Sequence, residues 1–317
     1  MSTVILDAAT LGVDLDLTPF NQFGDLTIFQ ATSNDKIIEN CEDATIVILN
    51  KVVMGAAEFS KLKFLKIICL TATGYNNIDT VAAQKAGIAV CNVAGYSTDS
   101  VAQHTIAMLL YQMQHLKYYD NYIKDGNYSN SPIFTHIEKP WGEIKGKKWG
   151  IIGMGNIGRK VAKIGTAFGA KVSYFSTSGV KRDEDYPEQS MGQLIKESDI
   201  ISIHAPLNPK TIDLISFKQF ENCKRNLILL NLGRGGIVNE SALAQAIDKN
   251  LIAGACVDVL TSEPVKQDNP LVNIKNRENI FITPHIAWAS SEARNRVVTE
   301  ICENIKAFRN GIERNRV

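Results

Sequence analysis

Residues 149–160 read WGIIGMGNIGRK. An apolar run of strand length ends at Ile152, and Gly153, Gly155 and Gly158 follow at the spacing G-x-G-x-x-G. The first glycine permits a tight turn, the second lets backbone approach a pyrophosphate, and the third lets a helix pack close to the strand. A helix opening at Asn156 and Ile157 offers free N–H groups and a positive dipole end to phosphates. In a strand–turn–helix setting this spacing predicts a dinucleotide-binding turn.

The strand expected next, KVSYF (171–175), runs into Ser176-Thr177-Ser178. A turn of this type expects Asp or Glu about 20 residues on, accepting from the ribose 2′-OH. An acid there repels a 2′-phosphate, whereas hydroxyls with Lys181 and Arg182 nearby accept one. The cofactor expected is NAD(H) or NADP(H), with a lean to NADP(H) at Ser176. NAD held by neutral hydroxyls, with Lys181 and Arg182 solvated, is the alternative.

Further out, short β-branched runs alternate with amphipathic segments. The first series is TVILD (3–7), LTIFQ (26–30), ATIVILN (44–50), LKIICLT (65–71) and IAVCNV (88–93). The second is KKWGIIG (147–153), KVSYFS (171–176), DIISIHA (199–205), NLILLNLG (226–233), IAGACVDV (252–259) and NIFITP (279–284). Near-continuous apolar strands separated by helices predict parallel sheets covered on both faces. The fold expected is α/β with two doubly wound parallel-sheet domains. Residues 78–87 read as a helix ending on Gly87, and 290–308 as a terminal helix. From residue 97 to 123 one long helix is expected, N-capped by Thr98 or Asp99. Ala102, Ile106, Leu109, Met113 and Leu116 share one face, suited to core packing or to a second subunit.

A chain of 317 residues suits two domains. A net charge of +1, with basic residues spread along the chain, argues against nucleic-acid or anionic-membrane partners. The N-terminus has no basic region followed by a long apolar core, so no signal peptide is expected, and no apolar run reaches membrane length. The six cysteines form no CxxC pair and read as buried hydrophobes of a reducing cytoplasm, with no metal site. The Asn-x-Ser triplets at Asn127 and Asn239 read as chance in a protein without an export signal.

Ligands bind at the carboxyl ends of strands in open parallel sheets. LNLGRGGIVNE (230–240) puts Arg234 there, GACVDVLTSEP (254–264) puts Asp258 and Glu263, and FITPHIAWAS (281–290) puts His285. Reducing a 2-keto acid needs a hydride and a proton. His285 supplies the proton, a carboxylate such as Glu263 favours its charged form, and Arg234 grips the substrate carboxylate. Singly, these read as an ordinary loop Arg, a Glu before Pro264 and a capping His; at three neighbouring strand ends they read as one site.

GMGNIG, LGRGGIVNE, DVLTSEP and TPHIAW stand in the order of the D-2-hydroxyacid dehydrogenase family, which this chain resembles over essentially its full length. The resemblance implies Arg234, Glu263 and His285 as catalytic trio, with His285 as acid/base and Asp258 on the nicotinamide carboxamide. His204, Ala205 and Pro206 would line the adenine side, with Thr105, Leu232 and Gly233 also at the cofactor. TATGYNNID (71–79) resembles the loop whose amides hold the substrate carboxylate, pointing to Thr73 and Gly74. NKVVM (50–54) and NVAGYSTDSVAQHT (92–105) look most like the glycerate dehydrogenase or hydroxypyruvate reductase branch. Lys51 would then line the substrate pocket, a solvated lysine being the alternative. Ser176 departs from the family's NAD-specific pattern. Formate dehydrogenases carry Gln where Glu263 stands, which sets that branch aside, and no added regulatory domain of the phosphoglycerate dehydrogenase kind is seen.

The resemblance implies a flavodoxin-like substrate or lid domain, 1–99 with 288–317, and a Rossmann cofactor domain, 100–287. Their cleft is expected to close before hydride transfer. The expected reaction interconverts hydroxypyruvate or glyoxylate with the D-hydroxyacid, in a homodimer. D-lactate dehydrogenase activity and a dinucleotide-sensing, corepressor-like binding protein are the alternatives.

Overall fold

The computed structural model describes residues 2–180 and 184–317. Lys181 and Arg182 therefore lie outside the described residues. The chain divides into two compact units, Met1–Ser97 with Ala289–Val317, and Thr98–Trp288.

In the first unit, β1 (Ser2–Ile5), β2 (Asp25–Ile28), β3 (Ala44–Leu49), β4 (Ile67–Leu70) and β5 (Ala89–Cys91) pair in parallel, in the order β2-β1-β3-β4-β5. This is the flavodoxin-like order. Short helices α1 (Ile37–Asn40), α2 (Ala56–Phe59) and α3 (Thr80–Lys85) lie between the strands. β4 is buried throughout, as its unbroken apolar run requires of a strand covered on both faces. Asp79 caps α3 through a 2.9 Å bond from Ala82 N–H. Gly87, at φ +71°, reverses the chain after it. The C-terminal helix (Ser291–Arg309) packs on β4 with Val297, Ile301 and Ile305 buried. Its N-terminus is capped by Ser290, whose hydroxyl accepts from Ala293 N–H at 3.2 Å.

The second unit opens with α4 (Thr98–Met113) and α5 (Leu116–Lys124). They are not the single helix expected. His115 takes a left-handed φ of +52°, which breaks the register between them. Ala102, Leu109 and Met113 are buried in the unit's own core and Ile106 packs against it, while Leu116, past the break, is exposed. The stripe is therefore used inside the unit. Thr98 and Asp99 fall within the first turn of α4 and not at its cap.

Then follow β6 (Lys148–Ile152), α6 (Asn156–Ala167), β7 (Lys171–Phe175), α7 (Met191–Glu197), β8 (Ile200–Ile203), α8 (Phe217–Asn222), β9 (Ile228–Asn231), α9 (Glu240–Asp248), β10 (Gly254–Val257) and β11 (Ile280–Ile282). The strands are all parallel, in the order β11-β10-β9-β8-β6-β7. A one-residue parallel bridge, Tyr174 to Glu188, continues the sheet past β7. With that bridge as the third strand, the order is that of a dinucleotide-binding sheet with one strand added. Neighbours on one strand serve opposite cores: Ile152 and Leu229 face one, Ile151 and Leu230 the other.

The six cysteines are free, and five are buried. Burial pushes the Cys41 thiol up to about 12 and the Cys223 thiol up to about 11. Among the described residues no helix is long and apolar enough to cross a membrane.

Candidate active site

At the end of β6 the three glycines meet three surroundings. Gly153, at φ +92°, lies so close to the chain leaving β8 that a Cβ would sit 2.9 Å from the His204 carbonyl oxygen and Ala205 N. A Cβ on Gly158 would collide with the Gly153 carbonyl, so α6 is locked against its own turn. A Cβ on Gly155 would meet nothing within 4 Å. The chain thus leaves open the one position a phosphate needs. α6 starts there without a side-chain cap, and leaves the amides of Asn156, Ile157 and Gly158 without an intrahelical partner. That is an anion cradle.

Beside it, both ring nitrogens of His204 are sealed from solvent without a hydrogen-bond partner. The residue as a whole keeps some exposure, but the nitrogens decide its charge, and burial pushes its pKa down to about 3. Orphaned buried polar atoms are costly and call for a partner. Ala205 is buried, Pro206 exposed, and a Cβ on Gly233 would sit 2.8 Å from the Ala205 carbonyl, so the 204–206 and 232–233 segments meet. The open glycine and the orphaned imidazole fit a dinucleotide. Thr105 is fully buried and its hydroxyl donates to Val101 O at 2.7 Å. It belongs to the helix interior.

Ser176 is buried and sits in a closed turn: its hydroxyl donates to Val180 O at 3.3 Å and lies 3.2 Å from the Ser178 hydroxyl. Among the described residues the first acid beyond β7 is Glu184, and it is paired with Arg159 of α6 at 2.7 Å.

Arg234, Glu263 and His285 follow the ends of β9, β10 and β11 within one unit; Glu263 and His285 are in contact, and Arg234 Nη1 donates to Gly233 O at 2.9 Å. Asn231, the last residue of β9, shapes the Arg234 turn: its amide donates to Arg234 O at 3.0 Å and accepts from Gly233 N–H at 3.2 Å. A Cβ on Gly235 would collide with the Leu260 carbonyl, so the Arg234 turn abuts the loop that carries Glu263. Glu240 ties that loop down, accepting from Thr261 N–H and from the Asn269 amide, both at 2.7 Å. Glu263 Oε1 accepts from Leu260 N–H at 2.9 Å, while Oε2 lies 2.6 Å from His285 Nδ1. Since a carboxylate only accepts, Nδ1 carries the hydrogen and Nε2 is left for chemistry.

Asp258, placed by the sequence on the nicotinamide carboxamide, is 2% exposed, and its carboxylate accepts from the Thr283 hydroxyl at 2.6 Å, Ile286 N–H at 2.9 Å and Ala287 N–H at 3.0 Å. Its observed role is to fasten the His285 loop. His104 of α4 reaches Thr283 Oγ1 at 3.2 Å and lies 3.8 Å from Asp258 Oδ1.

The substrate residues expected from the sequence lie in the first unit. Lys51 is exposed on a turn whose Asn50, Lys51 and Val52 N–H groups all bind the buried Asp7 carboxylate, at 2.7 to 3.3 Å. Thr73 donates its hydroxyl to Val93 O at 2.9 Å, and its carbonyl accepts from the Asn92 amide at 2.7 Å. Gly74 follows, half-buried. Asp7, Asn231, Glu240, His104 and Thr283 had escaped the sequence reading. The signal for Asp7, Asn231 and Thr283 was a polar residue closing an apolar strand run.

The family model for the D-isomer specific 2-hydroxyacid dehydrogenase, NAD binding domain, matches residues 106–287. A hydroxypyruvate reductase of Blautia hydrogenotrophica is 33% identical over 98% of this chain and 98% of its own. A glycerate dehydrogenase of Methylorubrum extorquens is 34% identical over 96% of this chain and 95% of its own. Among solved structures, an acyclic imino acid reductase in complex with NADPH and D-Arg is 29% identical, with a TM-score of 0.87 covering 100% of both chains. On these likenesses the chain belongs to the D-isomer specific 2-hydroxyacid dehydrogenase family of nicotinamide-dinucleotide oxidoreductases.

Proposed function

We propose that the protein reduces hydroxypyruvate to D-glycerate, or glyoxylate to glycolate, and prefers NADPH to NADH. The observation that carries the chemistry is the 2.6 Å pairing of His285 Nδ1 with Glu263, beside the Arg234 turn. Two relatives carrying the names hydroxypyruvate reductase and glycerate dehydrogenase support the substrate.

The nicotinamide, when bound, supplies the hydride. The amides of Asn156, Ile157 and Gly158 hold the pyrophosphate, and His204, Ala205 and Pro206 line the adenine side with Leu232 and Gly233. Asp258 Oδ2 accepts from Ala287 N–H and keeps a second acceptor site for the carboxamide. Arg234 binds the substrate carboxylate and stabilises charge developing on the carbonyl oxygen. His285 Nε2 gives its proton to that oxygen, and Glu263 keeps the ring oriented. In the first unit, the Thr73 and Gly74 amides and Lys51 are assigned to substrate. The cofactor preference rests on Ser176 and the turn around it: among the described residues the first acid beyond β7 is Glu184, and it is neutralised by Arg159.

Steady-state rates with NADH and NADPH against hydroxypyruvate, glyoxylate and pyruvate test this directly. The expected ranking places hydroxypyruvate or glyoxylate with NADPH first, and His285→Ala should lower kcat by about 100- to 10,000-fold. Fastest turnover of pyruvate makes the protein a D-lactate dehydrogenase. Tight dinucleotide binding without turnover of any keto acid makes it a binding protein.

A homodimer is also proposed, supported by the exposed Ile133, Phe134 and Ile137 of the segment after α5. Sedimentation at monomer mass removes it. The free, buried thiols support a cytoplasmic location.

A further inference from the structure

We infer that His104 and Thr283 are positioning residues that hold His285 in place through Asp258. The inference rests on the assignment of His285 as acid/base.

His285 has a left-handed backbone, φ +54°, which a residue with a side chain rarely keeps without support. Among the described residues, the backbone is held by Asp258 and Thr283, while Glu263 holds the ring. Its own N–H donates to Asp258 O at 2.8 Å and to Thr283 O at 3.0 Å. The next two amides, Ile286 and Ala287, end on the Asp258 carboxylate. The backbone from which the ring projects therefore depends on where Asp258 and Thr283 sit.

Asp258 has no lysine or arginine ion pair among the described residues, so hydrogen bonds must hold its buried charge. Among the described residues, the one side-chain hydroxyl bonded to it is that of Thr283. That hydroxyl has one hydrogen, and it points at Asp258 Oδ1. At the contact with His104, Thr283 Oγ1 is then the acceptor and His104 Nε2–H the donor. The order is His104 to Thr283 to Asp258, from α4 through the end of β11 to the end of β10. Burial, partly offset by Asp258, lowers the pKa of His104, which keeps the ring neutral with its hydrogen on Nε2. The residues that build this relay lie 179 and 25 positions apart in sequence and within one compact unit.

The test uses the full-length holoenzyme. Thr283→Val removes the hydroxyl at nearly constant shape, Thr283→Ser restores it, His104→Leu removes the outer donor, and His104→Gln replaces it. Two readouts are taken: kcat and KM for the keto acid, and the downfield proton resonance of the short His285–Glu263 hydrogen bond. Misplacing a catalytic group by a fraction of an ångström is enough to cost about tenfold. Thr283→Val should lower kcat by about that factor with KM changed less than about twofold, and broaden the resonance. His104→Leu should do the same to a smaller degree, and Ser and Gln should recover most of the loss.

Wild-type kcat and an unchanged resonance in both Thr283→Val and His104→Leu overturn the relay. If Thr283→Val does not fold, His104→Leu decides, since it leaves the Thr283–Asp258 bond intact. His285→Ala separates the two claims. If it keeps its rate, the acid/base assignment fails, and the resonance alone judges the relay.

Discussion

The two sheets share an order around their first strands, β2-β1-β3 in one unit and β7-β6-β8 in the other, and they treat the switch point between outer connections in opposite ways. Behind β1 the chain places Asp7, whose carboxylate fills the gap by taking three amides from the turn after β3. Behind β6 it places Gly153, which lets the segment after β8 come close, and Gly155, which faces open space. A carboxylate closes one switch point, and the other is left bare at the start of a 12-residue helix. Topology makes two potential crevices. One side chain decides which of them is offered to an anion.

The hardest way to break this comparison is to make the second switch point resemble the first. Gly155 has an ordinary φ of −86°, and no atom stands where its Cβ would go. Gly155→Asp should therefore leave the melting temperature of the free protein within about 2 °C. It brings a negative charge to the phosphate position, where like charges oppose binding by several kcal/mol. Dinucleotide affinity, read by fluorescence quenching, should fall more than about a hundredfold. Wild-type affinity would mean that the open glycine is not the phosphate site.

The next largest effect belongs to His204, because all five histidines lie in the second unit and this one is sealed there. Its folded pKa of about 3 lies below the ordinary value of 6.5. As pH falls through 6.5 the unfolded chain takes up a proton that the folded chain refuses. Stability is then fully present above 6.5 and is lost progressively down to pH 3. Between pH 6.5 and 5 the loss should be about 2 kcal/mol from this group. Urea unfolding of wild type and His204→Leu at the two pH values isolates it: the variant should lose less, by about that amount. Equal losses would show that the imidazole finds a partner or opens to water.

Most of this architecture was legible because parallel strands buried on both faces leave apolar runs. ATIVIL and IICL are continuous apolar runs of strand length, and each expected strand overlaps an observed one. Arg234, Glu263 and His285 were legible as candidates because each follows such a run within a few residues. What stayed hidden depends on one backbone angle or on distant partners. The break at His115 is a single left-handed residue inside a helical pattern. The bridge at Glu188 is one residue long and has no periodicity to show. Thr283 and His104 look like an ordinary strand end and an ordinary helix residue until the fold puts them 3.2 Å apart. Asp258 was found for its position, but its three hydrogen bonds to the His285 loop could not be seen in a string of letters.

Asp7 sharpens the comparison from the other side. Asp7→Asn keeps the shape but turns one acceptor oxygen into a donor against amides that need acceptors. The expected cost is about 2 kcal/mol in urea unfolding, from buried N–H groups left unpaired. Dinucleotide affinity should not change, because the phosphate site proposed here is built wholly from the second unit. A parallel fall in affinity would show that the two switch points are not independent.

The smallest effect is expected at Lys51, on the turn that Asp7 holds. Its N–H donates to Asp7 at 2.7 Å, a backbone bond that a side-chain substitution leaves in place. Lys51→Met keeps most of the stem and removes the charge. An exposed side chain of this kind contributes within about 0.5 kcal/mol to stability, so the melting curve should be unchanged. If the ammonium meets the substrate carboxylate, KM for hydroxypyruvate should rise about threefold with kcat unaltered, the signature of binding shared by ground and transition states. An unchanged KM would make Lys51 a solvated lysine, and Asp7 a purely structural stopper. A fall in kcat would instead place the Asp7 turn in the catalytic machinery, and the first switch point would then be closed for a functional reason.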